Sequence, residues 1–141
     1  MEEKLILFVE DDKETQELVT FTLTGYDIVI ARDFTEGLRL ARQRDFDLYI
    51  LDNWLPDGTG VELCRRIRKF DPHTPVVFLS GAAFESDVRE ALTAGAQIYL
   101  TKPSTPDELE WAVALLISIA SGQDFEARPT AVREELAIRS R

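Results

Sequence analysis

A chain of 141 residues is long enough for one domain with a sizeable core and too short for two ordinary ones. Its 45% hydrophobic and 30% charged residues exclude wholesale disorder, and 26 acids against 16 bases give a net charge of −10. Such a surface repels phosphate backbones, so direct nucleic acid binding by this segment is not expected.

The N-terminus, Met1-Glu2-Glu3-Lys4, runs straight into an apolar stretch and lacks the pattern of a signal peptide. The longest apolar segment, Trp111 to Ile117, falls far short of the ~20 residues that span a bilayer. The expectation is therefore a cytoplasmic protein with no membrane contact. Cys64 is the single cysteine, which excludes an internal disulfide; its neighbours Val61, Leu63 and Ile67 mark it as a small buried hydrophobe. His73, the single histidine, lies in Asp71-Pro72-His73-Thr74-Pro75 and reads as a turn residue.

Leu5-Ile6-Leu7-Phe8-Val9 is a short continuous apolar run that ends in acids, as expected of a strand buried on both faces of a parallel sheet. Comparable runs follow at Ile28-Val29-Ile30-Ala31, Leu48-Tyr49-Ile50-Leu51, Val76-Val77-Phe78-Leu79 and Ile98-Tyr99-Leu100. Helical spacing separates them. Leu18, Phe21 and Thr22 mark the first helix, Leu38 and Ala41 the second, Val61, Cys64 and Ile67 the third, and Val88, Ala91 and Leu92 the fourth. Gly95 suits a left-handed helix end, and Thr105-Pro106-Asp107-Glu108 suits the N-cap of a fifth helix. Five strand–helix units in succession predict a doubly wound α/β fold, a five-stranded parallel sheet with helices on both faces. Residues 1–121 form this domain in the sequence reading; residues 122–141 are a polar tail or linker, with room for a short helix from Thr130 to Ile138.

Open α/β sheets bind ligands beyond the carboxyl ends of their strands. There the chain places Glu10-Asp11-Asp12, Asp52, Ser80-Gly81 and Lys102-Pro103. Crowded carboxylates repel unless a cation joins them, and hard oxygen donors suit Mg2+. Metal and ammonium together would stabilise a phosphoryl group in transfer, with Asp52 as nucleophile and Ser80 as hydrogen-bond donor. Asp12 reads as a helix cap and Asp57-Gly58 as a turn.

These residues resemble, in order and spacing, the receiver domain of the two-component response regulator family (CheY-like, flavodoxin-like fold) over roughly residues 4–121. The motifs are Ile6 to Asp12, Leu51-Asp52-Asn53-Trp54-Leu55-Pro56-Asp57-Gly58-Thr59-Gly60, Val76 to Gly81, and Ala94-Gly95-Ala96 leading to Tyr99-Leu100-Thr101-Lys102-Pro103. The resemblance implies a signalling switch rather than an enzyme on other substrates. By position, Asp52 is its phosphoacceptor, Asp11 a direct Mg2+ ligand, Glu10 a ligand through water and the Trp54 carbonyl a backbone ligand. It also implies Ser80 and Tyr99 as paired switch residues, Lys102 as the catalytic lysine and a cis bond before Pro103. The implied partners are a sensor histidine kinase or histidine phosphotransfer protein, and an output reached through the fourth helix, fifth strand and fifth helix.

Two features depart from the family pattern. Ser104 stands where phenylalanine is common. Trp54 and Ala82 stand where the family tunes loss of the phosphoryl group, and neither side chain readily orients water, so a long-lived phosphorylated state is expected. In the fifth helix, Leu109, Ala112, Val113 and Leu116 form the core stripe, while Trp111, Leu115 and Ile117 or Ile119 form a second apolar face. That face suits either a homodimer or neighbouring domain, or a broader core with one exposed tryptophan. Rival readings fit less well: a flavin-phosphate loop would not be acidic, and an aspartate phosphatase would carry a second acid where Asn53-Trp54 stand. A receiver-like scaffold that takes no phosphate would not need the full set of site residues.

Overall fold

The computed structural model describes residues 3–82 and 84–122. The expected tail, with its short helix, lies outside the described residues except for Gly122. In chain order the elements are β1 (Leu5–Val9), α1 (Lys13–Thr22), β2 (Asp27–Ala31), α2 (Phe34–Gln43), β3 (Leu48–Leu51), β4 (Trp54–Leu55), β5 (Gly58–Thr59), α3 (Gly60–Arg68), β6 (Val76–Ser80), α4 (Glu85–Ala94), β7 (Ile98–Thr101) and α5 (Pro106–Ala120). Five strands form one parallel sheet in the order β2-β1-β3-β6-β7, and β4 and β5 form a separate two-residue antiparallel hairpin. The fold is the doubly wound one that the alternation predicts.

The continuous apolar runs behave as strands covered on both sides. Leu7, Val9, Tyr49, Leu51 and Phe78 point into a core shared with α2, α3 and α4. Ile6, Phe8, Leu48, Ile50, Val77 and Leu79 point into a second core under α1 and α5. The helix ends follow local chemistry. The Asp12 carboxylate accepts from the Thr15 amide at 3.0 Å, Thr105 Oγ1 accepts from the Glu108 amide at 3.1 Å, and Pro106 opens α5. Gly95 ends α4 at φ 118°, where a side chain would be strained.

Two expectations about faces are corrected. Leu18 and Phe21 do not mark the buried side of α1: they are 57% and 82% exposed, while Val19 and Leu23 are buried. Both rows have helical spacing, so periodicity alone does not choose between them. In α5 the second apolar face is largely internal. Trp111 is only 6% exposed and lines a cavity together with Leu23 and Tyr26 of the α1–β2 turn. It is buried rather than an exposed tryptophan; Ile119 is the exposed member of that set.

Candidate functional site

The register of the sheet brings the site together. Val9 pairs with Leu51, and the Asp52 amide continues the ladder to the Val9 carbonyl at 3.1 Å. Glu10 and Asp52 therefore leave neighbouring strands at the same level. On the other side Ser80 pairs with Thr101, and the Lys102 amide donates to the Ser80 carbonyl at 2.9 Å. Because β1 lies between β2 and β3, this edge is also where the winding of the sheet reverses.

Lys102 Nζ lies 2.6 Å from Glu10 Oε1 and 3.2 Å from Asp52 Oδ2. Glu10 is fully buried, and its other oxygen accepts from the Asp12 amide at 3.1 Å. Burial pushes the Glu10 carboxyl up to about 7, against the pull of Lys102 and the Asp12 amide, with the Asp52 charge adding to the rise. Burial works to lower Lys102, but its contacts with Glu10 and Asp52 outweigh that and raise it. Asp11 is exposed, and one oxygen from each of Glu10, Asp11 and Asp52 falls within 4.8 Å of the others. Three carboxylates this close, two of them buried, form a hard-oxygen donor set that fits a divalent cation such as Mg2+. Both oxygens of Glu10 and both of Asp52 already have partners within the chain: Lys102 and the Asp12 amide for Glu10, Lys102 and the Trp54 amide for Asp52.

Asp52 and Asn53 are each only 5% exposed. The Asn53 side-chain oxygen accepts from the Val61 amide at 3.1 Å, and its carbonyl accepts from the Gly60 amide at 2.9 Å. Gly60 is obligatory here because a Cβ would stand 2.2 Å from the Asp52 carbonyl oxygen. Its backbone conformation is ordinary; close approach is the constraint. Trp54 opens the β4–β5 hairpin with its indole exposed. Asp57 does more than turn the chain. Its carboxylate accepts from the Phe34 amide, the Thr35 amide and the Thr35 hydroxyl at 2.7, 3.1 and 2.7 Å, tying the hairpin to the start of α2.

Ser80 is buried, and its Oγ accepts from the Asn53 amide at 3.4 Å and the Ala82 amide at 3.3 Å. The Ala82 carbonyl in turn accepts from the Tyr99 hydroxyl. Tyr99 is buried, its ring stacked on Phe78 at 5.6 Å. A chain of contacts thus runs from Ser80 through the Ala82 peptide to Tyr99. The bond between Lys102 and Pro103 is cis, as the resemblance implies. Cys64 is buried, His73 is an exposed loop residue, and Asp12 caps α1, all as read from the sequence. Asn53, Asp57 and Gln16, whose amide donates to the Glu10 carbonyl at 2.7 Å, are site supports that residue type and spacing do not reveal.

The response regulator receiver domain profile matches residues 6–114. The uncharacterized transcriptional regulatory protein YrkP of Bacillus subtilis is 39% identical over 106 residues, covering 74% of this chain and 45% of its own length. The alkaline phosphatase synthesis transcriptional regulatory protein PhoP of the same organism is 34% identical over 116 residues, covering 81% and 48%. The chain spans about half the length of these curated relatives. A CheY-like response regulator receiver domain protein from Methanospirillum hungatei superposes with a TM-score of 0.82 at 29% identity, covering 86% of this chain and 98% of that one. With this match and a carboxylate–lysine site at the switch point of the sheet, the chain belongs to the response regulator receiver domain family.

Proposed function

We propose that Asp52 accepts a phosphoryl group from a phosphohistidine of a sensor kinase or phosphotransfer protein, with Mg2+, in the cytoplasm. The observation that carries this is the Asp52 carboxylate, held 3.2 Å from Lys102 Nζ with Glu10 and Asp11 beside it. Asp11, Asp52 and the Trp54 carbonyl would hold the metal directly and Glu10 through water. The metal supplies charge stabilisation for the phosphoryl oxygens. An Asp52 oxygen attacks phosphorus, the phosphorus–nitrogen bond breaks, and the imidazole nitrogen keeps the electron pair, leaving an acyl phosphate on Asp52. Lys102 can turn from Asp52 to a phosphoryl oxygen without losing Glu10. Ser80 accepts in both of its contacts, so its hydroxyl proton is available to the phosphoryl group.

A Ser80 drawn toward the phosphoryl group releases the Ala82 amide, and through the Ala82 carbonyl that movement reaches Tyr99. The altered surface of α4, β7 and α5 then controls a partner or output domain, and it is our candidate for a homodimer face. Neither the Trp54 indole, a donor only, nor the Ala82 methyl readily orients an attacking water, which favours a slowly lost phosphoryl group. Phosphoramidate with Mg2+ should leave a hydroxylamine-labile phosphoryl group on the wild-type chain and none on Asp52→Asn. Equal labelling of the two would sink the reading.

A further inference from the structure

Charge is unevenly placed on this acidic chain. α5 carries Asp107, Glu108 and Glu110 with no base, and α4 carries Glu85, Asp87 and Glu90 against Arg89. α2 and α3 reverse the balance, with Arg39 and Arg42 against Glu36, and Arg65, Arg66 and Arg68 against Glu62. Along α2, bordered by Arg66 of α3, lies a groove of about 460 Å³. Phe34 and Leu38 form its apolar part, and Arg39, Arg42 and Arg66 line it. Among the described residues none of the three arginines pairs with a carboxylate. Arg39 reaches only Gln43, at 3.2 Å, and the Arg42 guanidinium lies over the Phe70 ring at 5.8 Å. Three unpaired cations around one apolar groove repel one another and attract a negative ligand.

We propose that the α2–α3 groove docks an acidic segment of a partner protein, with an apolar anchor over Phe34 and Leu38 and carboxylates on Arg39, Arg42 and Arg66. Arginine forks suit carboxylates in bidentate contacts. The three Asp57 hydrogen bonds fix the start of α2, so the groove is held open before binding. A nucleic acid duplex fits less well. The groove follows α2, a helix of ten residues or about 15 Å, and a longer polyanion would run onto the acidic faces beyond it within a Debye length or two.

The probe is a short glutamate-rich peptide with one Phe and one Leu anchor, followed by amide shift mapping on the full chain. Controls are the same peptide with lysine for glutamate, and a short DNA duplex. Binding should be at least about tenfold tighter than that of the lysine peptide, with shifts confined to α2 and α3. The pair Arg42→Gln and Arg66→Gln should weaken it about tenfold or more, and Arg89→Gln on α4 should not. If that pair lowers the melting temperature, the exposed Arg39→Gln serves instead. The proposal is overturned by no binding, by shifts elsewhere, or by equal loss in Arg89→Gln. It is also overturned by duplex DNA binding the groove as tightly, or by shifts that dilution of the chain alone reproduces, which would assign a second copy.

Discussion

Lys102 stands where Glu10, Asp11 and Asp52 would otherwise face one another, and its position decides what the cluster can do. Lys102→Gln keeps a hydrogen-bond donor for Glu10 but removes the charge. Phosphorylation by a small donor should slow on the order of 100-fold while the melting temperature changes little, because loss of one transition-state donor costs roughly that much. Trp54 is 59% exposed beside Asp52 and, with a donor but no acceptor, does not readily orient an attacking water, whereas Ala82 is buried and a larger residue there would disturb Ser80 and Tyr99. Trp54→Asn is thus the cleaner test of lifetime. It should speed loss of the phosphoryl group roughly tenfold, about 1.4 kcal/mol of barrier, as read by decay of the phosphorylated mass. A third residue acts through protons. Burial would raise the Asp71 carboxyl, but hydrogen bonds from Thr74 and the Tyr49 hydroxyl outweigh it and hold it below its ordinary 3.8. The folded chain therefore binds this proton less readily than the unfolded chain. The stabilisation is complete above that value and is lost as pH falls through the folded pKa. Asp71→Asn should flatten the acid limb of a urea-stability profile below about pH 4, with little change in its slope near neutrality. The identities of Glu10, Asp52, Ser80 and Lys102 were legible because each ends an apolar run. Asn53, Asp57 and Gln16 were not, because their roles depend on which amide they meet across the fold.

At the level of elements, the strands were the most readable parts, since burial on both faces leaves a short unbroken apolar run, which among the described helices only α5 shares. β3 begins and ends where its sequence does, and β6 and β7 run one residue further into the site. Helix faces were harder. α1 has two apolar rows at helical spacing, and the sheet accepts the row of Val19 and Leu23. α5 buries Trp111 although spacing sets it on the second apolar row, away from the core stripe. The β4–β5 hairpin shows how an element and the site constrain each other. It turns back so tightly that Gly60 touches the Asp52 backbone, 2.2 Å from where a Cβ would sit. Gly60→Ala should cost about 1–3 kcal/mol in chemical denaturation, the usual cost of overpacking, and should slow Asp52 phosphorylation as well. Loss of stability without any loss of phosphorylation would show that α3 can shift without moving the nucleophile.

For the whole molecule, one sheet edge gathers the acids and the lysine, one contact chain links them to Tyr99, and two helix pairs carry charge of opposite sign. No helix among the described residues is long and apolar enough to cross a membrane. These features are those of a receiver domain, and under the proposed function its readout is a change of surface. The most direct measurement of that central claim is intact mass after incubation with acetyl phosphate, with and without Mg2+, for the wild-type chain and Asp52→Asn. The account predicts a gain of one phosphoryl group in the wild type with Mg2+, and none without the metal or in the variant. A folded wild-type chain that binds Mg2+ yet gains no mass, or an Asp52→Asn variant that gains it equally, would contradict the account.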